Sequence, residues 1–206
     1  MKRLWADSGS QSFQESFVIN ANGEKRDGFY VEIGSNHPFL FSNTFILESK
    51  FNWNGVAFEL APSLVDLYNY YRKNQAIAAD ATSFDFRQLF LDLQLPENMD
   101  YLQLDIEPAD NTFMSLKRIP LDEYRFAVIT FEHDLYSNPN NVDIQRQAFD
   151  LLASYDYVRV VKNVCSNGGP YEDWYVHPKL VRNGFIEEWN VNDVEDFALF
   201  SGAELT

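Results

Sequence analysis

Asp105, Glu107, Glu132 and His133 close two apolar runs, "YLQLDIE" (101–107) and "FAVITFEH" (126–133). If those runs are neighbouring strands, three carboxylates and an imidazole meet at one edge. A hydroxyl nucleophile needs a base to take its proton, and His133 has the ordinary pKa best suited to that work. In the alternative, Asp105 or Glu132 is the base and His133 binds substrate. A histidine hydrogen-bonded to structural acids is a third reading. A hard divalent ion on the carboxylates is a fourth, but the spacing is not diagnostic and no metal is expected. A second constellation lies in "GFYVEIGSNHPFLFSNTF" (28–45), where an acid (Glu32), a glycine (Gly34) and a helix start (Ser42) follow one another. That order suits a backbone lying against a cofactor. Glu59 ends "GVAFEL" 25 residues beyond Gly34 (59 − 34), and Asp80 follows the short run "AIAA" (76–79).

Strands and helices must alternate to bring these positions together. The apolar runs predict strands over 29–33, 55–60, 76–79, 101–107 and 126–132. Helical patterns fall over 42–51, with Ser42 as N-cap, and over 62–74, with Pro62 in the first turn. Further helices are expected over 83–94, 111–119 and 142–155. Runs 157–164 and 173–177 form a closing hairpin around "CSNGGPYE". The alternation argues for a mostly parallel, doubly wound α/β sheet covered on both faces, with an antiparallel strand from the hairpin. Ligands of such sheets bind outside the carboxyl ends of the strands. Glu32, Gly34, Glu59, Asp80, Asp105, Glu107, Glu132 and His133 should therefore line one edge. "CSNGGPYED" should overhang it, with Glu172 and Asp173 as exposed acids at its mouth, Trp174 packed in the core or the hairpin, and His177 at the far end.

The chain has 206 residues, enough for one domain with a sizeable core. The core blocks occupy about 10–178, and an acidic tail follows at 179–206, with "FALF" tucked onto the core. Its net charge of −15 argues against nucleic acid and against an anionic membrane surface. No stretch approaches the length of a membrane span, and "MKRLWADSGSQSF" lacks the apolar run of a signal peptide. The one cysteine, Cys165, excludes an internal disulfide and fits a reducing cytoplasm.

The blocks "VEIGSN", "FSNTFILE", "WNGVAFELAP", "YLQLDIEP", "FAVITFEHD" and "YEDWYVHP" resemble, in order, the FkbM-type family of S-adenosylmethionine-dependent methyltransferases. The resemblance spans roughly 10–178. It implies a Rossmann-like seven-stranded methyltransferase sheet with an antiparallel last strand. It also implies O-methylation of a hydroxyl on a sugar, glycan or small metabolite, with S-adenosylmethionine as donor. On that reading Gly34 lets the backbone approach the cofactor. The amides of Ser35 and Asn36 meet the methionine carboxylate, and Asn43 and Thr44 add side-chain donors. Glu32 holds the methionine ammonium, Glu59 with Leu60 takes the ribose, and Asp80 accepts from the adenine amine. Two departures stand out. His37 and Pro38 replace the family's acid and second glycine, and Pro108 replaces the glycine of "D-x-E-G". These keep a rival open, a non-catalytic binding domain of the same fold. A dehydrogenase is the weaker rival, because the first loop lacks G-x-G-x-x-G.

Overall fold

The structure, a computed structural model, describes residues 9–166 and 169–189. Its strands are β1 (Phe29–Ile33), β2 (Asn54–Glu59), β3 (Gln75–Ala78), β4 (Asn98–Leu104), β5 (Arg125–Glu132), β6 (Val158–Ser166) and β7 (Gly169–Val176). They form one seven-stranded sheet in the order β3-β2-β1-β4-β5-β7-β6. The pairs β1–β2, β2–β3, β1–β4 and β4–β5 are parallel. β7 runs antiparallel to both β5 and β6. The strand order reverses between β1 and β4, so a crevice opens at their carboxyl ends.

Seven helices cover the sheet among the described residues: α1 (Gln14–Ala21), α2 (Phe45–Phe51), α3 (Pro62–Tyr71), α4 (Phe86–Asp92), α5 (Ala109–Leu116), α6 (Val142–Ser154) and α7 (Phe185–Trp189). Successive strand residues point to opposite faces, and both faces are apolar. Val31, Ile33, Leu102, Leu104, Ile129 and Phe131 join α4, α5 and α6 in one core. Tyr30, Tyr101, Val128 and Trp174 join α1, α2 and α7 in the other. Burial on both sides is why these strands read as near-continuous hydrophobic runs.

The expected strands and the five expected helical segments are present, with shifted ends. α2 begins at Phe45 rather than Ser42, yet Ser42 Oγ accepts the amides of Thr44 (3.4 Å) and Phe45 (3.1 Å), so it caps the helix from just outside. β7 begins at Gly169, four residues before the expected start at 173. The short helices α1 and α7 were not anticipated. α1 starts from Phe13 in the left-handed region with no side-chain cap, so no punctuation marks it. Phe185 and Trp189 of α7 pack edge-on against Phe17, which ties the start of the tail to α1. "FALF" and the acids from Asp193 onward lie outside the described residues. No helix of the described residues is long and apolar enough to cross a membrane.

Candidate active site

A cavity of about 510 Å³ opens at the carboxyl ends of the first five strands. β1 contributes Gly34 and Asn36, β2 Glu59 and Leu60, and β3 Ala79 and Asp80. β4 contributes Asp105, Ile106 and Glu107, and β5 contributes Glu132, with Tyr136 just beyond it. Gln11 reaches the wall from the segment before α1, which an isolated bridge between Ser10 and Phe41 fastens to the loop after β1.

Gly34 has φ +86°, and a Cβ there would stand 1.7 Å from the Asp105 carbonyl oxygen. The glycine is thus required first by the neighbouring strand, and not by a cofactor alone, as the sequence suggested. The amides expected to receive a carboxylate are already used. Ser35 N donates to Phe58 O (3.1 Å), and Asn36 N donates to Glu59 Oε2 (3.0 Å). Ser35 itself is buried away from the cavity wall.

Glu59 receives a second amide, from Ala61 to Oε1 at 2.9 Å. One backbone amide on each oxygen fixes the carboxylate and leaves lone pairs for a ligand. Asp80 Oδ1 accepts from Thr82 N (2.9 Å) and Thr82 Oγ1 (2.6 Å), and these bonds hold its carboxyl below the usual range. Leu60 is exposed beside Glu59.

Glu32, Asn43 and Thr44 are not on the cavity wall. The reason is Arg72, which sequence reasoning missed. Its guanidinium is buried and donates to Pro38 O (2.9 Å), Ser42 Oγ (3.2 Å) and Thr44 Oγ1 (3.1 Å), and it pairs with Glu48 at 3.2 Å. Thr44 Oγ1 donates to Glu32 Oε2 at 2.8 Å, and Tyr68 also reaches that oxygen (3.3 Å). Burial raises Glu32 to about 7 against the opposing charge of Arg72. This network clamps the loop from behind. The His37–Pro38 departure is part of the same arrangement: His37 Nδ1 accepts the amides of Phe39 (3.2 Å) and Leu40 (3.1 Å), as an acid at that place would.

His133 is not the base the sequence favoured. His133 and Asp134 follow the last residue of β5, where both their amides donate to Tyr171 O; Asp134 turns to Glu132, and the His133 ring turns to Asp173. The ring is fully buried, with Nε2 3.3 Å from Asp173 Oδ1 and Nδ1 accepting Leu135 N at 3.3 Å. Nor are Glu172 and Asp173 exposed acids at the mouth, since both are buried. Burial alone would raise Asp173, but His133 and Arg159 outweigh it and hold its carboxyl below the usual range. Burial raises Glu172 to about 8, while the Trp174 indole donates to it. His177 does sit at the far end, its amide on Ala127 O.

Asp105 and Glu132 do meet in the cavity. Burial, then the charge of Asp105, drives Glu132 far above the carboxylate range. Burial also raises Asp105, assisted by the charges of Asp134 and Glu107, while its hydrogen bond with Glu132 opposes. The pair therefore retains a proton at neutral pH. Asp134, another residue not anticipated, joins them with φ +52°. It is 5% exposed, stands behind the cavity wall and is hydrogen-bonded with Glu132. The i, i+2 spacing of Glu132 and Asp134 was the available signal for it.

No protein-family model and no curated protein matches the chain. Solved structures do. An O-methyltransferase from Bacillus cereus in complex with SAH is similar at a TM-score of 0.56 and 17% identity, covering 84% of each chain. A Klebsiella pneumoniae protein described as an O-methyltransferase has a TM-score of 0.57 and 13% identity, over 84% of this chain and 83% of that one. A Clostridium thermocellum protein described as an rRNA methylase has a TM-score of 0.53 and 9% identity, over 79% of this chain and 92% of that one. At these identities the likeness shows the fold, a Rossmann-like methyltransferase sheet.

Proposed function

We propose that this chain is an S-adenosylmethionine-dependent methyltransferase acting on a hydroxyl of a sugar, glycan or small metabolite, in the manner of the FkbM-type enzymes. The charge of the cavity carries the reading. Its wall holds Glu59, Asp80, Asp105, Glu107 and Glu132, and no lysine or arginine among the described residues. A nicotinamide dinucleotide would bring its pyrophosphate against those carboxylates, which repel it. S-adenosylmethionine brings a sulfonium and an ammonium, which they attract. A volume of about 510 Å³ suits a ligand of this size. The Bacillus cereus neighbour, solved with SAH, supports the same donor.

When bound, S-adenosylmethionine supplies an electrophilic methyl carbon on a sulfonium. The chain's own residues do the rest. Glu59, held by two amides, offers its free lone pairs to the ribose hydroxyls. Asp80 accepts from the adenine amine, with Leu60 as an apolar flank. Asp105 takes the acceptor's proton, and its raised pKa makes it a stronger base than an ordinary aspartate. Glu132 carries the proton of the pair and keeps Asp105 in place. Orienting two substrates in one cavity supplies the larger part of the acceleration, on the order of 7–11 kcal/mol.

Calorimetric titration tests this. The protein should bind S-adenosylmethionine and not a nicotinamide dinucleotide. Glu59→Ala should weaken the donor by roughly tenfold, about 1.4 kcal/mol. Tighter binding of the dinucleotide, or unchanged donor affinity in the folded variant, defeats the reading. Donor binding with no transfer to any of a broad set of hydroxylated acceptors would favour the non-catalytic rival.

A further inference from the structure

We infer that Tyr136 selects the acceptor: its ring is a platform on which an uncharged cyclic hydroxyl compound lies flat, with the reacting hydroxyl at Asp105 and anionic acceptors shut out. The inference rests on the methyl-transfer reading above and deepens it. It names the residue that chooses the acceptor and the class admitted, an aryl ring or a pyranose, each of which offers a neutral apolar face.

The place of the ring carries it. Phe41, Tyr70 and Tyr71 are exposed too, but none of them lines the cavity. Among the described residues Tyr136 is the one exposed aromatic side chain on the wall, at 56% exposure. It stands at the end where the base lies. Burial and then the charges of Asp134, Glu132, Glu107 and Asp105 raise its phenol, so the ring is within reach of the Asp105 carboxyl. Glu59 and Asp80 close β2 and β3, and β1 and β4 lie between those strands and β5. Three strand spacings separate β5 from β2, roughly 14 Å at the usual spacing. That length leaves the donor one end of the cavity and the acceptor the other.

The ring is presented on a fixed backbone. Tyr136 N donates to Pro170 O at 2.8 Å, and the amides of Ser137 and Asn138 both donate to Asp134 O, at 3.1 and 3.2 Å. Gly169, the first residue of β7, packs directly against it: a Cβ there would stand 2.6 Å from Tyr136 Cβ. The closing hairpin therefore shapes the acceptor's end of the cavity through this one side chain. A tyrosine fixed in this way offers a large contact area with little ordering left to do. Its face is covered best by another apolar ring face. Glu107 and Asn111, on the wall at the same end, supply acceptors for the hydroxyls of such a ring. No lysine or arginine lies on the wall among the described residues, so a phosphate or carboxylate on the acceptor would meet like charge alone.

Matched probes test the inference on the full chain. Catechol and methyl glucoside are the neutral rings, glycerol is the acyclic control, and protocatechuate and glucuronate are the anionic counterparts. Each is titrated with and without S-adenosylhomocysteine and offered for methyl transfer. At least one neutral ring should bind roughly tenfold more tightly than glycerol and than its own anionic counterpart; which ring it is tells an aryl acceptor from a saccharide. Tyr136→Ala should abolish the preference over glycerol and raise the acceptor's KM about tenfold, with kcat and donor affinity nearly unchanged, as expected when a binding platform is lost. Tyr136→Phe keeps the ring and should behave like the parent. Gly169→Ala, whose new methyl displaces Tyr136, should weaken the ring several-fold. Circular dichroism checks the fold of each variant. Equal binding of glycerol or of the anionic members overturns the inference, as does binding of no probe at millimolar concentration. A folded Tyr136→Ala variant that keeps the ring preference overturns it as well. So does a Tyr136→Phe variant that loses as much as Tyr136→Ala, since the hydroxyl and not the ring would then be the cause. Failure to bind S-adenosylmethionine while the Tyr136-dependent ring preference persists would count against the methyl-transfer reading and leave the platform standing.

Discussion

Two groups of buried acids flank the loop after β1, and they are built on opposite plans. Behind the loop, Glu32 and Glu48 surround the Arg72 guanidinium, which also holds Pro38 O and Thr44 Oγ1. In front, Asp105, Glu132 and Asp134 have only one another and a shared proton. The first group is electrically closed and has no access to the cavity. The second is open, and the pKa values of Asp105 and Glu132 are displaced upward by burial and by like charge. A closed network specifies a loop. An open one is unstable unless a ligand completes it, and this is where stability is traded for function.

The largest effect expected is on the open group. Asp105→Asn should lower turnover by roughly 10²–10⁴-fold, the span for a lost general base. Donor affinity should change little. The same variant should gain stability, on the order of 1 kcal/mol, because a like charge leaves the cluster. Single-turnover kinetics and urea denaturation read the two quantities. A variant that turns over like the parent, or that loses stability, would erase the contrast.

On the closed group the sign reverses. Arg72→Met should cost about 3–5 kcal/mol in chemical denaturation at pH 8, since it leaves buried carboxylates with no cation. The loss should shrink at pH 5, where Glu32 is protonated. A loss below 1 kcal/mol at pH 8 would mean that the network does not secure the loop.

The smallest effect sharpens the comparison within the closed group. The folded pKa of Glu32, about 7, lies above its ordinary value of 4.5. The folded state therefore binds the extra proton between those two values, and stability falls as pH rises through that window. The loss is on the order of 3 kcal/mol, complete just above pH 7. In Glu32→Gln this contribution vanishes, so the stability difference, parent minus variant, should decline across pH 4.5–7 and level off above it. A flat difference would show that Glu32 stays ionised throughout.

Much of the fold was legible before any coordinates. Runs such as "FYVEI" and "FAVITFE" are apolar because both faces of the sheet are covered, and Pro62 and Ser42 mark helix starts through backbone rules that act locally. α1 escaped because it begins without a cap, and its apolar residues do not follow a one-sided stripe. It is buried nearly all round, with Phe17, Val18, Ile19 and Ala21 in the core. Of the site, the strand-end acids Glu59, Asp80, Asp105 and Glu132 were readable, because carboxyl ends of parallel strands share one edge. His133 was misjudged because its partner, Asp173, comes from β7 and draws the ring away from the cavity.

The sequence by itself determined which strand ends carry carboxylates, and hence the acidity of the cavity. Local pattern and strand direction suffice for that. Only the tertiary structure decided which acids are paired. Arg72 meets Pro38 across 34 positions of chain, and Asp173 meets His133 across 40. Charge compensation is a property of distance in space, and no periodicity within one element encodes it. That is why Glu32 looked like a ligand-binding residue and serves the loop, while Asp134 went unnoticed and stands in the open cluster.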